Sequence, residues 1–562
     1  MRPEVRHTEE FERVRDLPRR RLSQADASAW ATVLTPELRV PGAHVELRDW
    51  QAYCLAEVAT YRGLWAALPV GFGKTLLLEL IAAILGLTRA ILVIPANLRD
   101  KTYADRASYL GKWRLASPPP VLVSREELAD ESRHHYLERL NPDGILVDEA
   151  DELANADSAA CRRIDRFVQP RTREECAVVC LSGTPSRKSI MGYWHQLGWV
   201  LRDAAPMPHN YAEAKMWAAA LDYGPSRVRR PGPGPLGGTR AQALAWFQRR
   251  LSETPGVVIV DGDSAGDLPL TIRVRPSRED KTLDKHFKQF LLEQQNPDGI
   301  PVTDPLSRWR MDGFLGCGLY KKWNPPPPEE WRAARRAVAK LVRDAIEAST
   351  NTARPLDTEK QVLKRHAQHP AVIEWLRIKP MFDEHQTETV WVSGSTIESA
   401  IEWLNESSEP GIIWCGGVDF AHALAGVTRL SNYGPKGRDQ NGNGLHVAPE
   451  GKSLIASWHA NKKGFNLQAW ARQLIVHPPQ SAKWLEQIFG RSHRSGATRP
   501  VVITVLATSG GTLDAFESAI GEAGFARGSV GLTQKILRAQ IERVRVRVTE
   551  SNKFRWAQRD RA

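Results

Sequence analysis

The sequence predicts an α/β protein: two parallel-sheet domains in tandem, a mixed, mostly helical segment between them, and a basic helical tail. Three observations predict this. Nearly all-apolar runs of strand length alternate with helical patterns from Leu47 to about residue 225, and again from Glu388 to about residue 508. Strands apolar on both faces belong to parallel sheets covered by helices on each side. The chain has 562 residues, more than one hydrophobic core organises, so two substantial domains are expected.

Along the chain, residues 1–40 are charged and show no clear period. The first domain, 41–225, holds GLWAAL, TLLLELIAAIL, AILVIPA, VLVSREEL, GILVDEAD and AVVCLSGTP in order. SRVRRPGPGPLGGTR, from Ser226, is a Gly/Pro-rich basic linker. It opens an accessory segment, 226–384, that contains the stiff run WNPPPP and the basic amphipathic helix EEWRAARRAVAKLVRDAIEA. The second domain, 385–510, reads ETVWVS, a helix TIESAIEWL, GIIWCGG, SLIASWH, RQLIVHP, a helix AKWLEQIFG, and VVITVLA. The tail, 511–562, is helical and ends basic.

Composition narrows the function. Hydrophobic residues make up 42% and charged residues 25%, as in soluble globular proteins. The start, MRPEVRHTEEFERVRD, has no apolar core and is no signal peptide. The longest apolar stretch is broken by Glu79, Gly86, Arg89 and Pro95, so no membrane partner is expected. A net charge of +12 favours polyanionic partners, nucleic acid first. The cysteines Cys54, Cys161, Cys176, Cys180, Cys317 and Cys415 are scattered and lack paired zinc-ligand spacing. Reduced structural thiols fit an intracellular protein; the compact chain, without long low-complexity arms, suits a bacterial or phage protein, and if so the cytoplasm or nucleoid is expected.

Two motifs carry chemistry. In LPVGFGKT a strand enters and a helix leaves, with Val70, Gly71, Phe72, Gly73, Lys74 and Thr75 at the turn. Glycines let backbone N–H groups curl around a phosphate, and the helix start adds its positive dipole. Lys74 is placed for the β and γ phosphates and Thr75 for Mg²⁺. The first glycine of G-x-x-x-x-G-K-[ST] falls on Leu68, so the strict pattern is not met. In ILVDEAD an apolar strand ends in Asp148 and Glu149. Asp148 is the second Mg²⁺ candidate and Glu149 the group that polarises an attacking water. Upstream, the amide of Gln51 in LRDWQ has the donor and acceptor needed for an adenine edge.

These residues resemble superfamily 2 helicases and translocases, in the family's order. LRDWQ looks like the glutamine motif, LPVGFGKT like motif I, ILVIPANL like Ia, LVDEAD like II and LSGTP like III. GIIWC resembles motif IV, KKGFNLQAW motif V, and QIFGRSHR the Q-x-x-G-R-x-x-R of motif VI. Motif VI begins at Gln487 instead of His-Arg, and with NLQ and GRSHRSGATRPV it is more similar to the Swi/Snf-type branch of duplex-DNA translocases than to DEAD-box RNA helicases. That branch usually has glycines where Lys462 and Lys463 stand.

The resemblance implies two RecA-like domains with ATP and Mg²⁺ in the cleft between them. Gln51, Lys74, Thr75, Asp148 and Glu149 would come from the first domain. Gln487, Arg491 and Arg494, with Gly464 of motif V, would come from the second. Ser182 and Thr184 would link nucleotide state to closure. Nucleic-acid contacts are expected at Asn97, Arg99, Ser124 and Arg125 and at Lys462 and Lys463. The function implied is an ATP-dependent DNA helicase or translocase, on duplex or single strands. An RNA helicase of the same superfamily and a non-hydrolysing, nucleotide-gated scaffold are the alternatives. No protein partner is legible.

Overall fold

The computed structural model describes residues 4–21, 23–223, 230–293, 305–325, 328–349, 356, 359–381, 387–434, 437–461 and 465–543. Two wholly parallel sheets dominate it. The first contains β1 (Gly63–Ala67), β2 (Ala90–Ile94), β3 (Val121–Ser124), β4 (Gly144–Val147), β5 (Ala177–Ser182) and β6 (Val257–Ile259), in the order β3-β2-β4-β5-β1-β6. The second contains β7 (Leu270–Pro276), β10 (Gly411–Cys415), β11 (Ser431–Tyr433), β12 (Leu454–Ser457), β13 (Arg472–Ile475), β14 (Val501–Ala507) and β15 (Gln540–Arg543), in the order β11-β12-β10-β13-β14-β7-β15. Between β7 and β10 in the chain, β8 (Leu319–Trp323) and β9 (Thr387–Trp391) form a separate antiparallel pair.

The apolar runs explain this layering. Side chains alternate across a strand, so a strand buried on both faces must be apolar at every position. On β1, Trp65 and Ala67 enter one core while Leu64 and Ala66 enter another. On β10, Ile412 and Trp414 face one helix layer and Ile413 and Cys415 the other. Each large side chain so buried contributes about 1.5–3 kcal/mol.

The 226–384 segment does more than connect. It adds β6 beside β1 and β7 beside β14, one strand to each sheet. Residues 260–269 are therefore the direct hinge between the sheets. The sequence pattern hid β7 because LTIRVRP alternates buried and exposed positions, unlike the continuous apolar run of an interior strand. Conversely, ETVWVS contributes to β9, which among the described residues pairs only with β8. Its Thr387 and Glu388 are exposed, which suits a hairpin and not a sheet covered on two faces. Residues 4–40 form two helices, Glu9–Asp16 and Gln24–Leu38, capped by Thr8 and Ser23. In the tail, helix Gly510–Ser529 packs on helix Arg240–Ser252 of the first lobe, and residues 544–562 lie outside the described residues.

Among the described residues no helix is long and apolar enough to cross a membrane. All six cysteines are buried free thiols.

Candidate active site

The strand order β4-β5-β1-β6 brings four loops to one carboxyl edge of the first sheet. They are the acid pair after β4, the Ser182 turn after β5, the phosphate loop after β1 and the hinge after β6. Such an edge is where parallel sheets hold ligands.

The phosphate loop passes into helix Lys74–Ile84 through Gly71 at φ +91° and Gly73 at φ +76°. Both lie in the left-handed region, which costs glycine nothing. Gly73 caps the helix without a side chain, leaving the first-turn amides to an external acceptor. Lys74 is buried, and its Nζ lies 3.3 Å from where a Cβ on Gly183 would stand. Gln51 holds the loop from outside. It accepts from the Arg48 N–H at 3.0 Å, and its Nε2 donates to the carbonyls of Phe72 and Gly73, each at 3.4 Å. Both amide atoms are thus engaged with protein, and a purine edge reaches them only by exchange. Arg48 donates to the Gly71 carbonyl at 3.1 Å.

Asp148 and Glu149 follow β4. The Asp148 carboxylate accepts the Glu149 N–H at 2.9 Å, and Glu149 sits at φ 52°, ψ 52°. A non-glycine residue there costs on the order of 1–3 kcal/mol and is typical of sites whose surroundings fix the backbone. Thr75 and Asp148 offer the hydroxyl and carboxylate oxygens that suit Mg²⁺, an ion that keeps most of its remaining ligands as water and phosphate. Among the described residues no group of three or more His, Cys, Asp or Glu could hold a metal.

Helix Ala482–Ser492, which follows a strand of the second sheet, approaches the phosphate loop near its C-terminal end. A Cβ on Gly490 would lie 2.8 Å from Val70 Cγ1, and one on Gly71 would lie 3.7 Å from Arg494 Cβ. Arg491 is 5% exposed. It donates to the carbonyls of Gln487 at 2.9 Å and Phe465 at 3.1 Å. Burial, then the like charge of Arg494, pushes it down to about 10, and Glu149 opposes them. Arg494 is lowered too, by burial and then by Arg48. Lys74, Arg48 and Arg494 thus gather around glycine-lined space, with Arg491 within electrostatic reach of Arg494 and Glu149, an arrangement that fits a polyphosphate. Gln487 is 1% exposed with neither amide atom hydrogen-bonded among the described residues, so it too has capacity for a further polar partner.

A chain of bonds joins the lobes below this point. Ser182 Oγ donates to Asp151 Oδ1 at 2.7 Å and accepts the Thr184 N–H at 3.0 Å. Asp151 is ion-paired with Lys483 of the opposite lobe. The Thr184 hydroxyl is buried without a hydrogen-bond partner. Ser182 and Thr184 were legible from LSGTP. Asp151 was visible only as the last letter of DEAD, and Lys483 looks like any lysine on an amphipathic helix.

The hinge completes the site. Because β6 lies beside β1, the chain leaving it crosses the phosphate loop, and a Cβ on Gly71 would meet Ser264 Oγ at 2.7 Å. Because β7 lies beside β14, the same hinge meets the end of the arginine helix. His493 donates from Nε2 to the Leu268 carbonyl at 2.7 Å. Burial holds the ring below its usual pKa and hence neutral, so Nδ1 accepts from Lys535 Nζ at 3.2 Å. Lys535 is also paired with Asp263 of the hinge. Its backbone N–H donates to Glu486 at 2.6 Å, and burial raises that carboxyl to about 7. Asp263, His493 and Lys535 thus pin the turn that carries Arg494.

The expected nucleic-acid residues fare differently. Asn97 is exposed. Arg99 is paired with Glu127, and Arg125 with Glu126 at 2.7 Å and Glu152 at 2.9 Å. Ser124 is buried and caps helix Arg125–Ala129 through the Glu127 N–H at 3.1 Å, a structural use its sequence context did not reveal. Lys462, Lys463 and Gly464 lie outside the described residues.

No family model matches the chain. It is 27% identical to mitogen-activated protein kinase kinase kinase 3 of Arabidopsis thaliana over 175 residues, 30% of this chain and 26% of that protein. It is 27% identical to the transcriptional regulator ATRX homolog of Caenorhabditis elegans over 124 residues, 18% of this chain and 9% of that protein. The chain thus matches well under two thirds of either relative's length. The sequences H-R-D and D-F-G, which mark protein-kinase catalytic loops, do not occur in it. Among solved structures it is similar to the Sulfolobus solfataricus SWI2/SNF2 ATPase core in complex with dsDNA. That likeness covers 87% of this chain and 95% of the other, at 16% identity and a TM-score of 0.32.

Proposed function

We propose that this protein is a DNA-dependent ATPase that hydrolyses Mg²⁺-ATP between its two lobes and uses the resulting opening and closing to move along DNA. One observation supports the reading: Arg494 of one lobe lies beside Gly71 in the glycine-lined loop of the other, with Arg491 close enough to feel both Arg494 and Glu149. Charge that builds on a transferred phosphoryl group is best stabilised by cations already in place and shielded from water. Since the cations come from separate lobes, they are in place only when the lobes close, and chemistry is tied to movement.

Lys74 and the loop amides bind and orient the phosphates. Thr75 and Asp148 would hold Mg²⁺, which neutralises phosphate charge when bound. Glu149 orients the attacking water and accepts its proton. Ser182, Asp151 and Lys483 carry the state of the site to the second lobe. The retention of Lys74, Glu149 and both arginines argues against a scaffold that binds nucleotide without turnover.

The test is the ATPase rate with duplex DNA, single-stranded DNA and RNA, followed by strand displacement on forked and blunt duplexes. Strong stimulation by DNA, lost in Lys74→Ala, is expected. Equal stimulation by RNA would move the protein to the RNA helicases, and ATP binding without turnover on any polynucleotide would leave the scaffold. Strand displacement would separate a helicase from a translocase that moves without unwinding.

A further inference from the structure

The carboxyl edge of the second sheet holds a cavity of about 520 Å³ that the ATP site does not use. Its volume suits a small-molecule site. Gly416 and Gly417 follow β10 into it, Trp458 follows β12, and His477 lies just past β13. From β10 the chain lays β11 and β12 on one side, then returns to lay β13 on the other. The cavity therefore sits where the strand order reverses, the favoured ligand position of an open parallel sheet. Its outer wall comes from the inserted segment, through Trp309 and Phe314 of helix Pro305–Gly316 and Lys321 of β8.

Aromatic rings make up much of the inner lining. The rings of Trp309 and His477 are 5.8 Å apart, tilted by 47°, and Trp458 stacks on His459 at 3.8 Å. His477 and Trp458 are 7% and 2% exposed, and each has a ring nitrogen without a hydrogen-bond partner among the described residues. Burial lowers His477 to about 4, so it is neutral at pH 7. The rim has the opposite character. Gly417 caps helix Val418–Thr428 without a side chain, so first-turn amides face an incoming anion. Arg310 is exposed beside it, and the one rim carboxylate, Asp419, is neutralised by Lys321 at 2.6 Å. A slot for a flat ring with a cationic, amide-bearing rim matches one nucleotide, base inward and phosphate outward.

We propose that this cavity takes a single unstacked nucleotide of a polynucleotide strand, its base on Trp309 and Trp458 and its phosphate at the 416–418 turn and Arg310. The inference rests on the reading of the protein as a DNA motor. A free mononucleotide has the same chemistry, and the experiment separates the two sources. Full-length protein is titrated by anisotropy against a labelled thymine oligonucleotide and against the same backbone carrying a run of abasic sites. Wild type should prefer the intact strand by about tenfold, within the range of base stacking on an aromatic side chain. Trp309→Ala should lose that preference and Trp309→Phe should keep it. The preference is a ratio, so partial misfolding lowers both affinities alike and cannot imitate the result. Photocrosslinks from 5-iodouracil should map to Trp309 or Trp458. Equal binding of both strands by wild type, or an undiminished preference in Trp309→Ala, overturns the proposal. So does adenosine monophosphate competing as well as the oligonucleotide, which would make the cavity a mononucleotide site. If DNA still stimulates ATP hydrolysis in those cases, the motor reading stands and only the pocket fails. If DNA gives no stimulation, the motor reading itself fails.

Discussion

Replacing Lys483 with methionine removes the ammonium that faces Asp151 across the lobes. The pair is well buried, with side-chain exposures of 10% for Lys483 and 3% for Asp151. Taking one partner from such a pair leaves an uncompensated charge and costs about 3–5 kcal/mol. Here the cost falls on closure, because an opened cleft would return water to Asp151. A loss of about 3 kcal/mol shifts an open–closed equilibrium roughly a hundredfold. We predict that Lys483→Met lowers polynucleotide-stimulated kcat by up to about two orders of magnitude, while the melting temperature moves by only about 2 °C. Asp151→Asn removes the charge but keeps an oxygen for Ser182 Oγ, so the double variant should recover much of the loss. The assay is steady-state ATPase on both single variants and the double, with thermal unfolding alongside. Losses that simply add in the double variant, or melting temperatures that collapse in step with activity, would refute the reasoning.

Three further outcomes are expected. Gly71→Ala forces a side chain to φ +91° and to 2.7 Å from Ser264 Oγ, so affinity for a fluorescent ATP analogue should fall at least about tenfold; unchanged affinity would contradict the cradle. Asp263→Asn removes the anion shared by Lys535 and His493 and should lower kcat about tenfold with little change in KM for ATP; a change confined to KM would assign the hinge to nucleotide binding instead. His195 is buried, donates from Nε2 to the Leu153 carbonyl at 2.7 Å, and is lowered by burial from 6.5 to about 4. Its depressed folded pKa means the unfolded chain takes up the proton first, so its contribution is intact above about pH 6.5 and is lost as pH falls towards 4. Between pH 7 and 5 this amounts to roughly 2 kcal/mol. Chemical denaturation of wild type and His195→Gln at both pH values should show a shallower pH dependence in the variant, and identical slopes would refute it.

Much of this site was legible because its chemistry is local. The phosphate loop needs glycines beside a lysine, and the acid pair needs a strand that ends abruptly, so both leave contiguous signatures. Their proposed partnership with Arg491 and Arg494 comes only from the order of motifs. The parts that tune the site were hidden. Lys483, Lys535 and Asp263 act through pairings that span hundreds of residues, and no local pattern distinguishes them from surface charges. The hinge was masked by β7, whose alternating pattern resembles an exposed strand, and by the assumption that a Gly/Pro-rich start marks an entire accessory segment. Ser124 has a use that the pattern did not show: its hydroxyl, placed after an apolar strand, caps a helix through the Glu127 N–H.

The central claim is that chemistry waits for arginines delivered by the opposite lobe. It is tested most directly by Arg494→Ala in a single-turnover ATPase assay with saturating DNA, with ATP and DNA binding measured in parallel. Arginine fingers of phosphate-loop enzymes are worth about 10³–10⁵ in rate. The account predicts near-normal binding of both ligands and hydrolysis reduced by at least about a thousandfold. Normal turnover in Arg494→Ala together with normal turnover in Arg491→Ala would contradict it.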